Sequence, residues 1–384
     1  MYPGDSATSV TLEIKNVISE KIRKVKLIRK DVPNRSLTTA YFYPKSDIGI
    51  FVLNRFSAKA AEEFRQKAEL FISLGMKRLI IDVRNNPGGF MVMVDEILDM
   101  LISGNRLLTK VVSGNKEFNS EVYSMNGGFL EKIPVVVVVD ENSASGSELL
   151  AGVVQDYDRG IVVGKRSYGK GSIQRIWSMN DSTGFKLTVG KYLTPSGRDI
   201  QKKAGENISI EPTLDTNIKF DDIQNQINKL GGIAEVKIYK STSGRPIIGG
   251  GGVTPDYFVD ADTLTQLTNL LIRKGLYFEW AISYKKKHGK ELKEKYGNDY
   301  SKFNLDFQIN DEMLREFANF ALLNKVWNNE MFTADKSYFI NYMKASIANV
   351  IWGYDAFSEV MCIVDKQITA AITKLPEAEQ MIYK

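Results

Sequence analysis

Three short turns in this sequence hold the residue types that acyl transfer needs. The first is Glu141-Asn142-Ser143-Ala144-Ser145-Gly146-Ser147-Glu148, which follows an apolar strand and precedes an amphipathic helix. A small-residue turn of this kind exposes a side chain at the carboxyl edge of a sheet, where ligands sit in open α/β folds. A serine there lies at a helix N-terminus, whose amides and dipole favour a developing oxyanion. Ser145 is thus a candidate nucleophile. The same residues also read as a plain helix start, with Ser147 as the cap followed by Glu148. The two readings are compatible, Ser147 capping and Ser145 reacting. The second turn is Arg84-Asn85-Asn86-Pro87-Gly88-Gly89, again between a strand and a helix. Its glycines let backbone amides approach a ligand closely. Two such turns at one sheet edge would supply a two-donor oxyanion hole, although Pro-Gly is also an ordinary turn dipeptide.

The third turn is Ser167-Tyr168-Gly169-Lys170-Gly171-Ser172-Ile173-Gln174. It is not a phosphate loop. Gly164 stands five positions before Gly169, but Gly171 occupies the place of the required hydroxyl residue. A glycine-flanked lysine suits proton transfer instead. Burial against apolar walls disfavours an ammonium ion and lets a lysine amine act as a general base.

The rest of the inventory narrows the choice. The chain has one histidine, His288, in the basic stretch Lys285-Lys286-Lys287-His288-Gly289-Lys290. That is the composition of a solvated helix surface, so a serine-histidine pair is disfavoured and the base falls to lysine or a carboxylate. One histidine and one cysteine do not make a zinc site, and there is no His-Glu-x-x-His. No metal and no cofactor is called for. Cys362 lies in an apolar helical stretch and reads as a buried structural thiol.

The elements that must position these turns follow from periodicity. Strand patterns occur at Ile48 to Leu53, Arg78 to Val83, Pro134 to Val139, Gly160 to Val163 and Phe185 to Tyr192. Helical spacing occurs at Ala58 to Leu74, Val92 to Leu101 and Ser147 to Gln155. Strands alternating with helices imply βαβ units around a largely parallel sheet. Before them, Ser9 to Ile14 and Arg23 to Ile28 alternate as two strands, too few for an independent unit. Residues 203–247 read as an insertion, and Gly249 to Gly252 as a turn. From Asp262 onward, amphipathic patterns at Leu264 to Leu276, Glu312 to Leu323 and Tyr338 to Ile351 predict an all-helical region.

The 384 residues, 43% hydrophobic and 25% charged, describe ordinary globular material of two or three domains. A net charge of +5, spread over short helical runs, gives no footprint for nucleic acid. No apolar run approaches the roughly 20 residues of a membrane span. The N-terminal Met-Tyr-Pro-Gly-Asp has neither a basic nor an apolar leader region, so no signal peptide is visible.

Together the three turns resemble those of the carboxyl-terminal processing peptidases, also called tail-specific proteases. The likeness runs from Ser9 to Asp256. It includes Arg84 to Gly89, Ser143 to Glu148, Gln155-Asp156, Gly169 to Gln174, Thr194-Pro195-Ser196-Gly197-Arg198 and Thr254-Pro255-Asp256, in the family's order. The resemblance implies Ser145 as nucleophile and Lys170 as base, with the family's usual 25-residue separation between positions 145 and 170. It implies that Gln174 orients the lysine, that Asp156 supports the site or serves structure, and that oxyanion amides come from Gly146 and from Gly89 in preference to Gly88. Gly146 stands where the family more usually has alanine. The fold implied is a ClpP/crotonase-like α/β core over 34–256. Part of a PDZ domain would precede it over 1–33, and an all-helical region would follow over 257–384. Residues 4–30 resemble only the last strands of a PDZ domain, which implies a shortened form. The implied partners are protein or peptide substrates with free, apolar C-termini, with an oligomer allowed, in the cell envelope or periplasm. Two other classes share parts of this logic. One is a peptidase-like scaffold that binds peptides without cutting; the other is a crotonase-type acyl-CoA enzyme, which needs no nucleophilic serine.

Overall fold

Five consecutive valines, Val135–Val139, are buried to the last side chain. A strand apolar on both faces must be covered by two layers, as in parallel α/β sheets. The computed structural model describes residues 7–15, 21–30, 35–125, 128–179, 183–202 and 237–382. They fall into two compact units, Ser36–Thr263 with Met361–Lys384, and Met1–Arg35 with Leu264–Val360. Along the chain come β1 (Ser9–Lys15) and β2 (Ile22–Ile28), then β3 (Leu37–Phe42), β4 (Ile48–Leu53), α1 (Ala60–Ser73), β5 (Arg78–Asp82), α2 (Met91–Leu101), β6 (Leu107–Val112), β7 (Ser120–Tyr123), β8 (Val135–Val139), α3 (Gly146–Asp156) and β9 (Ile161–Gly164). Next are β10 (Ser172–Ser178), β11 (Gly184–Leu193), β12 (Ile238–Lys240), β13 (Pro246–Ile248) and β14 (Tyr257–Phe258). Helices follow: α4 (Gln266–Arg273), α5 (Leu276–Tyr296), α6 (Tyr300–Asp306), α7 (Asp311–Leu323), α8 (Asn329–Ala334), α9 (Lys336–Trp352), α10 (Tyr354–Met361) and α11 (Lys366–Ile382).

The first unit is built on a six-stranded sheet of order β14-β9-β8-β5-β4-β3. All pairs are parallel except β3 with β4. Strand residues alternate between faces, and the valines of β8 obey this. Val135, Val137 and Val139 join the core shared with α1, α2 and α3. Val136 and Val138 face the other way and meet Ile368, Ala371, Leu375 and Ala378 of α11. Within the expected helical region 257–384, this last helix belongs to the first unit. The second face of a doubly apolar sheet needs a cover, and the last helix provides it. Cys362 is buried against the same face. A second, antiparallel sheet of order β10-β11-β6-β7 stands beside the third turn. Its members β6, β7 and β10, like β3, carry no strand pattern clear enough to predict. Of the expected insertion, residues 203–236 lie outside the described residues, and 237–247 supply β12 and the start of β13.

The second unit contains the β1–β2 hairpin, in register from Ser9 opposite Ile28 to Lys15 opposite Ile22, and helices α4 to α10. The helices close on aromatic rings: Tyr277 stacks on Phe317 at 5.0 Å and meets Phe339 at 5.1 Å. The expected helix from Leu264 to Leu276 is broken at Gly275, whose φ of +69° stops α4 and lets α5 begin. His288 sits on α5, 42% exposed, beside Tyr284 and 3.6 Å from Glu291.

Candidate active site

β8 ends at Val139, and the chain turns through Asp140 to Ala144 into α3. Asp140 Oδ1 accepts from the amides of Asn85 (3.0 Å) and Asn142 (3.1 Å) and from Ser143 Oγ (3.0 Å). This ties the first turn to the second. Ser145 is the residue immediately before α3, with φ +55° and ψ −111°. A residue with a Cβ adopts such a backbone only where its surroundings impose it, at about 1–3 kcal/mol. Here the imposition comes from Glu148, whose Oε2 accepts from Ser145 N at 2.8 Å, as in one half of a capping box. Ser147 does not cap the helix as expected. Its buried hydroxyl donates to Asn86 O at 2.9 Å and staples the two turns together.

The glycine turn closes against the same serine. Asn86 donates to Leu53 O (2.8 Å) and accepts from Gly88 N (2.9 Å), while Asn86 O accepts from Ala144 N (2.9 Å). Gly88 has φ +97°, and a Cβ placed on it would lie 2.7 Å from Ser145 Cβ. Gly89 is gripped through its neighbours: Phe56 N donates to Gly88 O (3.0 Å) and Phe90 N to Phe56 O (2.8 Å). The Gly88 amide is therefore spent on Asn86. Among the described residues, the amides of Gly89 and Gly146 have no acceptor. Gly146 is in the first turn of α3, where amides lack intrahelical partners. A Cβ there would come within 2.9 Å of Val94 Cγ2, so glycine fits where alanine would crowd.

The lysine turn is bound to the first turn by one carboxylate. Glu148, fully buried, accepts from Ser167 Oγ (2.6 Å) and Gly169 N (2.6 Å) on Oε1, and from Lys170 N (2.8 Å) on Oε2. The Ser145 and Lys170 amides share that Oε2, so their nitrogens are no farther apart than twice 2.8 Å. Burial pushes the Glu148 carboxyl up, and the four donors pull against it. On the carbonyl side, the Tyr192 hydroxyl is 2.8 Å from Ser145 O and 2.8 Å from Lys170 O. Lys170 is half-buried. Among the described residues no carboxylate pairs with its ammonium.

Two expected residues stand apart. Gln174 is exposed on β10, just past a bulge at Ile173/Gln174, and no hydrogen bond links it to Lys170 among the described residues. Asp156 ends α3, about 16 Å from Ser145 along a helix rising 1.5 Å per residue. It pairs with Arg198 (2.9 Å) and accepts from Ser196 N (2.9 Å). Arg198 also donates to Gln155 Oε1 (2.8 Å), and Gln155 Nε2 donates to Thr254 O and Asp256 Oδ1, both 2.9 Å. Asp256 in turn receives Arg245. Three of the sequence motifs are thus one buried lock at the far end of α3. Glu148 and Tyr192, which tie the serine and lysine turns together, do not stand out in the sequence. Glu148 looked like a helix cap, and Tyr192 like one more residue of an alternating strand.

The model of peptidase family S41 matches residues 47–216, the span holding all three turns. Residues 47–216 belong to peptidase family S41. The carboxyl-terminal-processing protease of Picosynechococcus sp. is 34% identical over 205 residues, covering 52% of this chain and 48% of that protein. The carboxy-terminal processing protease CtpB of Bacillus subtilis is 32% identical over 215 residues, covering 55% and 43%. The chain spans about half the length of the curated relatives it matches. A solved structure titled photosystem II D1 C-terminal processing protease is 28% identical, with TM-score 0.39 over 52% of this chain and 54% of that one. Residues 267–353 match a family of unknown function.

Proposed function

We propose that the S41 domain is a serine endopeptidase that cuts near the C-termini of protein substrates through an acyl-enzyme on Ser145. The observation that carries this reading is the double tie between Ser145 and Lys170, amide to amide through Glu148 and carbonyl to carbonyl through Tyr192. Beside them lie the two unspent amides of Gly89 and Gly146. In the acylation step Ser145 Oγ attacks the scissile carbonyl and its proton passes to the Lys170 amine. The carbonyl oxygen, now negative, is held by the Gly89 and Gly146 amides. Lys170 returns the proton to the leaving amine, the C–N bond breaks, and the ester remains on Ser145. Water then attacks that ester with Lys170 again as base, which releases the acid and restores the hydroxyl. The lysine takes the place a histidine fills elsewhere. The reading extends to substrates with apolar C-termini and to an extracytoplasmic compartment, in keeping with relatives named as processing proteases of bacteria and of the Arabidopsis chloroplast.

The test is cleavage of an unfolded protein with an apolar C-terminus, its products identified by mass. Wild type should cut it, while Ser145→Ala and Lys170→Ala should each lower the rate by at least about a thousandfold. Equal cleavage by both purified, folded variants sinks the reading. Binding without cutting by wild type would instead indicate a scaffold.

A further inference from the structure

We propose that Tyr192 is a positioning residue for the reaction, its one hydroxyl fixing the Lys170 turn at its working distance from Ser145. The inference rests on the peptidase reading above. Tyr192 lies on β11, opposite Val111 of β6, and is completely buried. Its backbone N–H donates to Gly171 O at 3.0 Å. Its hydroxyl stands equally near the carbonyls of Ser145 and Lys170. A phenol has one proton to give, so the two carbonyls share it in a three-centre bond. Burial, reinforced by the charges of Glu148 and Asp199, pushes the Tyr192 hydroxyl well above its ordinary range. It therefore remains a donor at every pH where hydrolysis would be measured.

The two carbonyls do not depend on it equally. Ser145 O also accepts from the amides of Glu148 (2.9 Å) and Leu149 (3.0 Å). Lys170 O has no other donor among the described residues. Removing the hydroxyl would leave the nucleophile turn in place and release the carbonyl side of the lysine turn. The amide side would still be held by Glu148. The consequence is a lysine displaced from the serine, with the substrate-binding surface unchanged. Displacements near 1 Å in a reacting pair cost on the order of a hundredfold in rate.

Tyr192→Phe in the full chain tests this. The ring and the backbone bond to Gly171 are kept, so only the hydroxyl is lost. The expected result is a kcat lower by roughly ten- to a hundredfold with KM unchanged, and faster amide exchange at Gly169, Lys170 and Gly171 than at Ser145 and Gly146. A lower melting temperature with unchanged kcat, measured well below the melt, would show a purely structural role and overturn the proposal. If wild type itself does not hydrolyse peptides, the peptidase reading fails, and the exchange comparison alone decides the clamp. Unchanged exchange at the lysine turn then overturns it. If Tyr192→Phe does not fold, 3-fluorotyrosine at position 192 keeps the shape and changes the strength of the O–H donor. A kcat that does not respond to it counts against the proposal.

Discussion

Replacing Asp156 by alanine should cost stability and leave catalysis intact. Asp156 Oδ1 lies 2.9 Å from Arg198 Nη2, and the two side chains are 1% and 0% exposed. Breaking one partner of such a pair strands a buried charge and costs about 3–5 kcal/mol. The Ser196 amide, which donates to Oδ2 at 2.9 Å, loses its acceptor for about 1 kcal/mol more. Arg198 keeps Gln155 Oε1 and a carbonyl contact to Gly152, which offsets part of the loss. The expected net is about 4 kcal/mol. Urea unfolding of Asp156→Ala, Arg198→Met and the double variant measures it. The double variant should be the more stable of the two that lack the carboxylate, with a coupling of about 2 kcal/mol or more. Below its unfolding transition, Asp156→Ala should keep kcat within about twofold, because Ser145 is at the other end of α3. A loss under about 1 kcal/mol, or a hundredfold fall in kcat in folded protein, would refute the reasoning and make Asp156 part of the chemistry.

Three further outcomes are expected. Gly88→Ala forces a Cβ to within 2.7 Å of Ser145 Cβ at φ +97°, so hydrolysis should fall at least about a hundredfold and stability by about 2–4 kcal/mol, read by kinetics and thermal melting. Leu375→Ala in α11 empties a fully buried position against the sheet and should cost about 2–5 kcal/mol, whereas an exposed helix position would cost almost nothing. Asp95, buried on α2 and hydrogen-bonded by Thr109, is raised by burial to about 6 from 3.8. Between those values the folded chain holds a proton that the unfolded chain has released. Its contribution is therefore full below about pH 4 and is lost as pH rises through 6, by roughly 3 kcal/mol at most. Asp95→Asn should flatten that part of the stability profile and equal or exceed wild type at pH 7. A profile unchanged by the substitution would contradict this.

The strands and helices that carry the site were legible because their apolar runs are unbroken and end in small-residue turns. The five valines of β8 announce a two-faced sheet, and the small-residue turns after β5 and β8 announce its carboxyl edge. What periodicity does not encode is partnership. The pattern of α11 is amphipathic like that of α7 or α9, and nothing in it says that its apolar stripe covers Val136 and Val138. β3 (Leu-Thr-Thr-Ala-Tyr-Phe) and β6 (Leu-Leu-Thr-Lys-Val-Val) do not alternate cleanly, and it is pairing with β4, β7 and β11 that makes them strands. At the site, Ser145 and Lys170 stand out because glycines and small residues surround them. Glu148 does not, because an acidic residue directly after Ser147, the serine read as the cap, already has a local explanation in the first turn of a helix. The separation of Asp156 from the site is equally hidden. Its partner Arg198 is 42 residues away, and a motif string cannot tell a residue near the chemistry from one that locks the far end of the same helix. The orienting role of Gln174 is implied by the family resemblance alone; in the fold the residue is exposed on β10, just past the bulge.

In the proposed reaction Ser145 becomes covalently acylated with Lys170 as its base. Rapid acid quench of wild type turning over a peptide ester, followed by digestion and mass spectrometry, reads this directly. The predicted result is an acyl mass increment on the fragment containing Ser145. It should be absent from Ser145→Ala and strongly reduced in Lys170→Ala. Turnover that persists in Ser145→Ala, or an increment that maps to another residue, would contradict the account.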